Sequence, residues 1–179
     1  MNLTKFIITF ASLLNLAKSQ ECQSNEELEP WQVTRVETHS PALRPDGGNS
    51  SSILVTIENP NPTPAGTGSN GGATFDTSPA NCTAQWLTTS ESPYDISYDC
   101  TEATWKMEVL KANSTSASPT ENFDLKFTLK GNGTEVLVGR EHFEVWGNLE
   151  GTCGGSGVCN WYLKESNNPV LIQPTAVAS

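Results

Sequence analysis

The sequence predicts an all-β fold: a single-domain antiparallel β-barrel or sandwich with two local disulfides. Apolar and polar residues alternate at period two, turn residues separate the alternating runs, and no stretch keeps a capped helical period. Alternation is cleanest over residues 123–130. There Phe123, Leu125, Phe127 and Leu129 fall on one side and Asp124, Lys126, Thr128 and Lys130 on the other. Successive side chains of extended backbone point to opposite faces, so this is a half-buried strand.

Trp105, Met107 and Val109 repeat the pattern, as do Ile53, Val55 and Ile57. Residues 31–38, 96–100, 135–146 and 158–163 alternate less regularly and are the remaining predicted strands. Asp46-Gly47-Gly48-Asn49 and Gly131-Asn132-Gly133 predict hairpin turns, since glycine and asparagine accept positive φ. Short strands joined by turns make a sandwich or barrel, not βαβ units. Residues 59–72, rich in Pro, Gly, Asn and Thr, have the composition of a linker. Only two predicted strands precede them, too few for a domain, so they are expected as a long loop within one domain spanning 20–179. Residues 113–121 form a second polar loop.

Residues 1–19 have a different character. Lys5 precedes an apolar run over 6–16, and Ala17 and Ser19 place small residues at the −3 and −1 positions of a cut before Gln20. Those are the parts of a secretory signal peptide, and the run is shorter than the ~20 residues of a membrane span. A mature, extracellular protein starting near Gln20 is expected.

The whole chain carries ten basic and twenty acidic residues, a net charge of −10. Loss of Lys5 and Lys18 with the leader takes it to −12. A surface of that sign repels phosphate backbones and anionic lipid, which argues against nucleic acid or a membrane as partner. It also keeps a secreted protein in solution.

The five cysteines are Cys22, Cys82, Cys100, Cys153 and Cys159. In an oxidising compartment they pair, and an odd set leaves several arrangements open. The economical one joins sequence neighbours, Cys82–Cys100 and Cys153–Cys159. Cys22 is then left over near the mature N-terminus, where an unpaired thiol is expected to link two chains as a homodimer. A zinc site is not expected, because Cys-x-x-Cys pairs are missing and His39 and His142 stand alone in sequence. Sequons at Asn49, Asn113 and Asn132 fall in predicted loops and are the expected glycosylation sites. A fourth, at Asn81, adjoins Cys82 and is discounted.

No constellation of catalytic residues is legible. His39 sits at a predicted strand end before Pro41, and His142 lies between Glu141 and Glu144 in no recognisable motif. The run from Cys153 to Cys159 lacks the Lys-Ser/Thr of a phosphate loop, and Val158 stands where a G-x-S-x-G elbow needs glycine. A tight, disulfide-closed turn accounts for its glycines. Trp31, Trp86, Trp105, Trp146 and Trp161 would suit sugar stacking if exposed in a row. Most of them sit on alternating strands beside apolar residues, which points to core packing instead. No enzymatic activity and no cofactor are expected.

An early cysteine followed by two local pairs, the stretch Trp31-Gln32-Val33-Thr34-Arg35-Val36 just after it, and a second strand over 52–58 form a recognisable layout. It resembles a family of fungal secreted proteins typified by the major Alternaria allergen. The resemblance implies a cysteine-bridged β-barrel, dimerised through the first cysteine, with no established enzymatic activity. It further implies a fungal effector or allergen-like binding protein that meets a host, with an extracellular defence protein or a small phenolic ligand as partner. Two departures stand out: the last cysteine pair encloses only five residues, and residues 59–72 look like an insertion. A cell-wall carbohydrate-binding protein is the alternative, and an uncharacterised secreted hydrolase trails both.

Overall fold

The computed structural model describes residues 28–42, 48–61, 64–65, 73–74, 78–130 and 135–178. The expected leader, its cleavage point, Cys22, Asn132 and most of residues 59–72 lie outside them. The strands are β1 (Trp31–Ser40), β2 (Ser50–Glu58), β3 (Pro64–Ala65), β4 (Ala73–Thr74), β5 (Ala80–Leu87), β6 (Ser97–Asp99) and β7 (Trp105–Lys111). After them come β8 (Asn122–Lys130), β9 (Glu135–Glu144), β10 (Leu149–Cys153), β11 (Cys159–Leu163), β12 (Val170–Ile172) and β13 (Thr175–Ala178). One 3-10 turn, Glu165–Asn167, is the sole helical element among the described residues. No helix is long and apolar enough to cross a membrane among the residues described.

Two antiparallel sheets carry the fold. The first runs β10-β11-β1-β2-β5, with β12 also on β1, and the second runs β13-β9-β8-β7-β6. Trp31–Val33 pair with β12 and Glu37–Ser40 with β11, so one edge of β1 is shared end to end. At the break between them β1 shifts register between Val33 and Arg35, and the Thr34 carbonyl accepts from Asn168 Nδ2 at 3.0 Å. Such a bulge lets one strand change partners without leaving a carbonyl unsatisfied.

The sheets do not close into a barrel. Of the two expected architectures the sandwich forms, and the barrel implied by the resemblance does not. At one side, the β5–β6 corner, pairing shrinks to the Cys82–Cys100 bridge and one Thr101 N–H to Asn81 carbonyl bond of 2.8 Å, and at the other the sheets end on β10 and β13, which do not pair.

The core follows from the period-two pattern. Phe123, Leu125, Phe127 and Leu129 are buried, facing Val109, Met107 and Trp105 across β7. Trp31 meets Trp105 edge-on at 4.7 Å between ring centroids, and Phe123 stacks on Phe143 at 5.9 Å. Gly139 faces inward on β9, where a Cβ would lie 2.6 Å from Ile172 Cγ2 and 3.1 Å from the Trp31 ring, so glycine fits and a larger residue does not. On the outer face of β8, Lys130 is exposed and Lys126 is half-covered by its ion pair with Glu108 at 3.0 Å. Asp124 departs from the expected solvated face, because cross-strand neighbours leave it only 7% exposed.

Candidate functional site

One end of the sandwich gathers three segments far apart in sequence: the 112–121 loop, the turn after β9 and the β10–β11 hairpin. Thr38 Oγ1 donates to the Thr120 carbonyl at 2.9 Å, which ties the loop to the first sheet. The neighbouring Glu121 carbonyl accepts from the Val145 N–H at 2.8 Å, which ties it to the turn. The Glu121 carboxylate also lies within 4.8 Å of the sulfurs of Cys153 and Cys159 in the hairpin.

Trp146 is the outstanding feature of this rim. It is 85% exposed and its backbone sits at φ 74°. A bulky residue in the left-handed region is strained, and such strain persists only where surroundings impose it. The surroundings here are polar contacts on every side. Trp146 N–H reaches the Leu149 carbonyl at 3.2 Å and Gly147 N–H the Glu144 carbonyl at 3.2 Å. Asn148 clamps the strand end: its Oδ1 accepts from Glu144 N–H at 3.0 Å and its Nδ2 donates to the His142 carbonyl at 2.8 Å. Lys164 Nζ donates to the carbonyls of Trp146 at 3.1 Å and Gly147 at 2.5 Å. The result is a rigid turn with a large aromatic ring held in solvent.

Beside it, on the outer face of β8 and β9, lies an ionic cluster. Asp124 Oδ1 is 2.6 Å from His142 Nδ1, while Asp124 Oδ2 accepts from Arg140 through Nε at 3.0 Å and through Nη2. His142 Nε2 is 3.6 Å from Glu144 Oε2. Burial pushes the Asp124 carboxyl upward, but hydrogen bonds from Arg140 and His142, reinforced by their charges, hold it below the usual carboxylate range. A buried carboxylate orienting an imidazole is half of a hydrolytic triad. In this cluster, however, the outward ring nitrogen faces a second carboxylate, not a hydroxyl or thiol.

The structure separates the two histidines. His39 lies on the outer face of the first sheet, with Nδ1 2.8 Å from Asn160 Oδ1, and His142 lies on the second. The cysteines pair as expected, Cys82 with Cys100 and Cys153 with Cys159, each between directly opposed residues. Asn49 and Asn113 are exposed, as a glycan requires. Asn81 is exposed too, on β5, with Oδ1 accepting from Thr56 Oγ1 at 2.7 Å. Glu121, Cys153 and Cys159 are the residues among those described that could hold a metal ion, once the cysteines are reduced.

Core packing holds for Trp31, Trp86, Trp105 and Trp161 but not for Trp146, at the end of the expected strand over 135–146. A signal was present. Counting in twos from Leu137 through Phe143 puts position 146 outward, and Gly147-Asn148 marks a turn. The Asp124–His142 contact had no such signal, because it depends on the β8–β9 register. Neither protein-family models nor curated proteins match this chain.

Proposed function

We propose that the protein is a secreted, non-enzymatic binding protein that presents the Trp146 rim to an extracellular host partner, in the manner of a fungal effector or allergen-like protein. The observation that carries this reading is Trp146, 85% exposed on a turn fixed by Lys164 and Asn148. Tryptophan is among the residues most enriched at interface anchors, and a pre-ordered turn loses little freedom on binding. Two disulfides and a net charge of −10 fit a chain that works in an oxidising, extracellular setting. The resemblance to the Alternaria family supplies the host. A host protein is the first partner, and a small phenolic ligand stacking on the indole is the second. Cys22 would join two chains and so double the number of rims presented.

The sugar-binding alternative would use a row of exposed rings, whereas four of the five tryptophans are buried. The test is a pull-down from host extracellular fluid with the glycosylated mature protein and its Trp146→Ala variant, beside a substrate screen. The wild type is expected to retain a reproducible partner that the variant loses. Turnover abolished by replacing His39 or His142 would overturn the reading in favour of a hydrolase.

A further inference from the structure

The two disulfides sit in opposite environments. Cys82 and Cys100 are buried at the corner where the sheets meet, at 0% and 9% exposure. Cys153 is exposed and Cys159 half-exposed, on a hairpin whose β10 strand is a sheet edge. Thiol–disulfide exchange needs an attacking thiolate to reach a sulfur, so access sorts the two bridges: the first is sheltered and the second open to reagents.

Reduction need not dismantle the hairpin. β10 and β11 remain paired from Leu149↔Leu163 to Cys153↔Cys159. The tip is closed by its own backbone, with Gly154 N–H to the Val158 carbonyl and Gly157 N–H to the Gly154 carbonyl, both at 2.8 Å. Gly157, at φ 88°, takes a conformation that suits glycine. Two freed thiols would therefore stay side by side. The third group is already there, because the Glu121 carboxylate lies within 4.8 Å of both sulfurs. Its backbone is fixed by Glu121 N–H to the Ser118 carbonyl at 3.3 Å and by Val145 N–H to its own carbonyl.

We propose that Cys153 and Cys159 form a redox-gated metal site, which on reduction binds a borderline divalent cation such as Zn²⁺ through two thiolates and the Glu121 carboxylate. A dithiol reductant supplies the two electrons and two protons. The Cys153–Cys159 S–S bond breaks, two thiols form, and the reductant closes its own disulfide. The cation then displaces the two thiol protons to solvent, and water completes a tetrahedral shell. Tetrahedral Zn²⁺, with bonds of about 2.3 Å to sulfur and 2.0–2.2 Å to oxygen, spaces its ligand atoms roughly 3.5–3.8 Å apart, within reach of these three groups. Two thiolates and a carboxylate favour Zn²⁺ over Mg²⁺ or Ca²⁺, which take oxygen ligands. Glu121 leads into the second sheet and the cysteines belong to the first, so the ion would pin the sheets together beside the Trp146 turn.

The experiment uses the mature chain with Cys22→Ser, so that thiols are counted only from the two bridges. Brief treatment with dithiothreitol, followed by its removal without oxygen, is expected to expose two thiols in the folded protein, and four only where the dithiothreitol acts on the denatured chain. Co²⁺, as the probe, should then bind once per chain with thiolate-to-metal charge-transfer absorption, and Zn²⁺ should displace it. The oxidised protein should show no such absorption. Glu121→Gln keeps the shape and removes the ligand charge, so Co²⁺ affinity should fall by at least the roughly 10- to 100-fold that losing an outer-sphere partner costs. Near-ultraviolet circular dichroism checks that each form stays folded. Four thiols appearing together, none appearing, or two thiols without cobalt–thiolate absorption would each overturn the site. An unchanged affinity in Glu121→Gln would remove Glu121 from it, and with it the link between the sheets.

Discussion

Asp124 and His142 are joined across β8 and β9 by a 2.6 Å contact between Oδ1 and Nδ1. An ionised carboxylate can only accept, so His142 Nδ1 carries the proton and Nε2 is turned outward to Glu144. The other Asp124 oxygen is taken by Arg140. One buried carboxylate thus organises two exposed cationic or hydrogen-bonding groups on the outer face of the second sheet.

That arrangement sets an acid limb to stability. The folded Asp124 carboxyl lies below its unfolded value of about 3.9. Its contribution is therefore full above the unfolded value and is lost as pH falls through the folded one. Asp124→Asn should cost roughly 1–2 kcal/mol at neutral pH, the range for hydrogen bonds to a charged group discounted for exposed partners. The difference from wild type should shrink below about pH 4. Urea unfolding at pH 7 and pH 3 checks this, and a difference that grows in acid would refute the sign.

The core offers a sharper pair. Leu125 is fully buried, and Leu125→Ala should cost about 2–5 kcal/mol. Gly139→Ala adds a single methyl but drives it towards Ile172 and the Trp31 ring. Overpacking of that kind should cost about 1–3 kcal/mol. Near-native stability in Gly139→Ala would mean that Trp31 can move aside.

Much of this was readable from the chain because burial on one face imposes a period of two. The runs at 53–57, 105–109 and 123–129 are strands facing the core, and both disulfides join sequence neighbours. What escaped reading depends on which strands meet. Barrel closure hangs on whether the edge strands, β5 with β6 and β10 with β13, pair along their length, and alternation within each strand carries nothing about that. Asp124 has the pattern of a solvated residue, and only the register that sets it between Leu110 and His142 explains its cover. Glu121 comes beside Cys153 and Cys159 for the same reason, through contacts between sheets that no local spacing encodes.

The bridges should differ in cost. Chain entropy gives about 3 kcal/mol for an 18-residue separation and about 2 kcal/mol for 6 residues. Replacing Cys82 and Cys100 by Ala should exceed its figure, since the pair also fastens the two sheets and packs within the core. Replacing Cys153 and Cys159 by Ser should stay near its own, because the hairpin keeps its backbone pairing. Thermal melts of the two double variants check the order, and the reverse order would show that the hairpin, not the corner, holds the sandwich together.

Trp146 should trade stability against binding. Its φ of 74° strains a bulky residue by roughly 1–3 kcal/mol, and the ring, 85% exposed, returns little by burial. Asparagine tolerates the same backbone far better. Trp146→Asn should therefore raise stability by about 1 kcal/mol, while capture of an extracellular partner falls. The Lys164 and Asn148 bonds to this turn go to backbone atoms, so the substitution leaves them in place. Urea unfolding and the pull-down, run on the same preparation, read the two effects separately. A loss of stability with binding intact would make the ring a structural prop and remove the anchor from the proposed function.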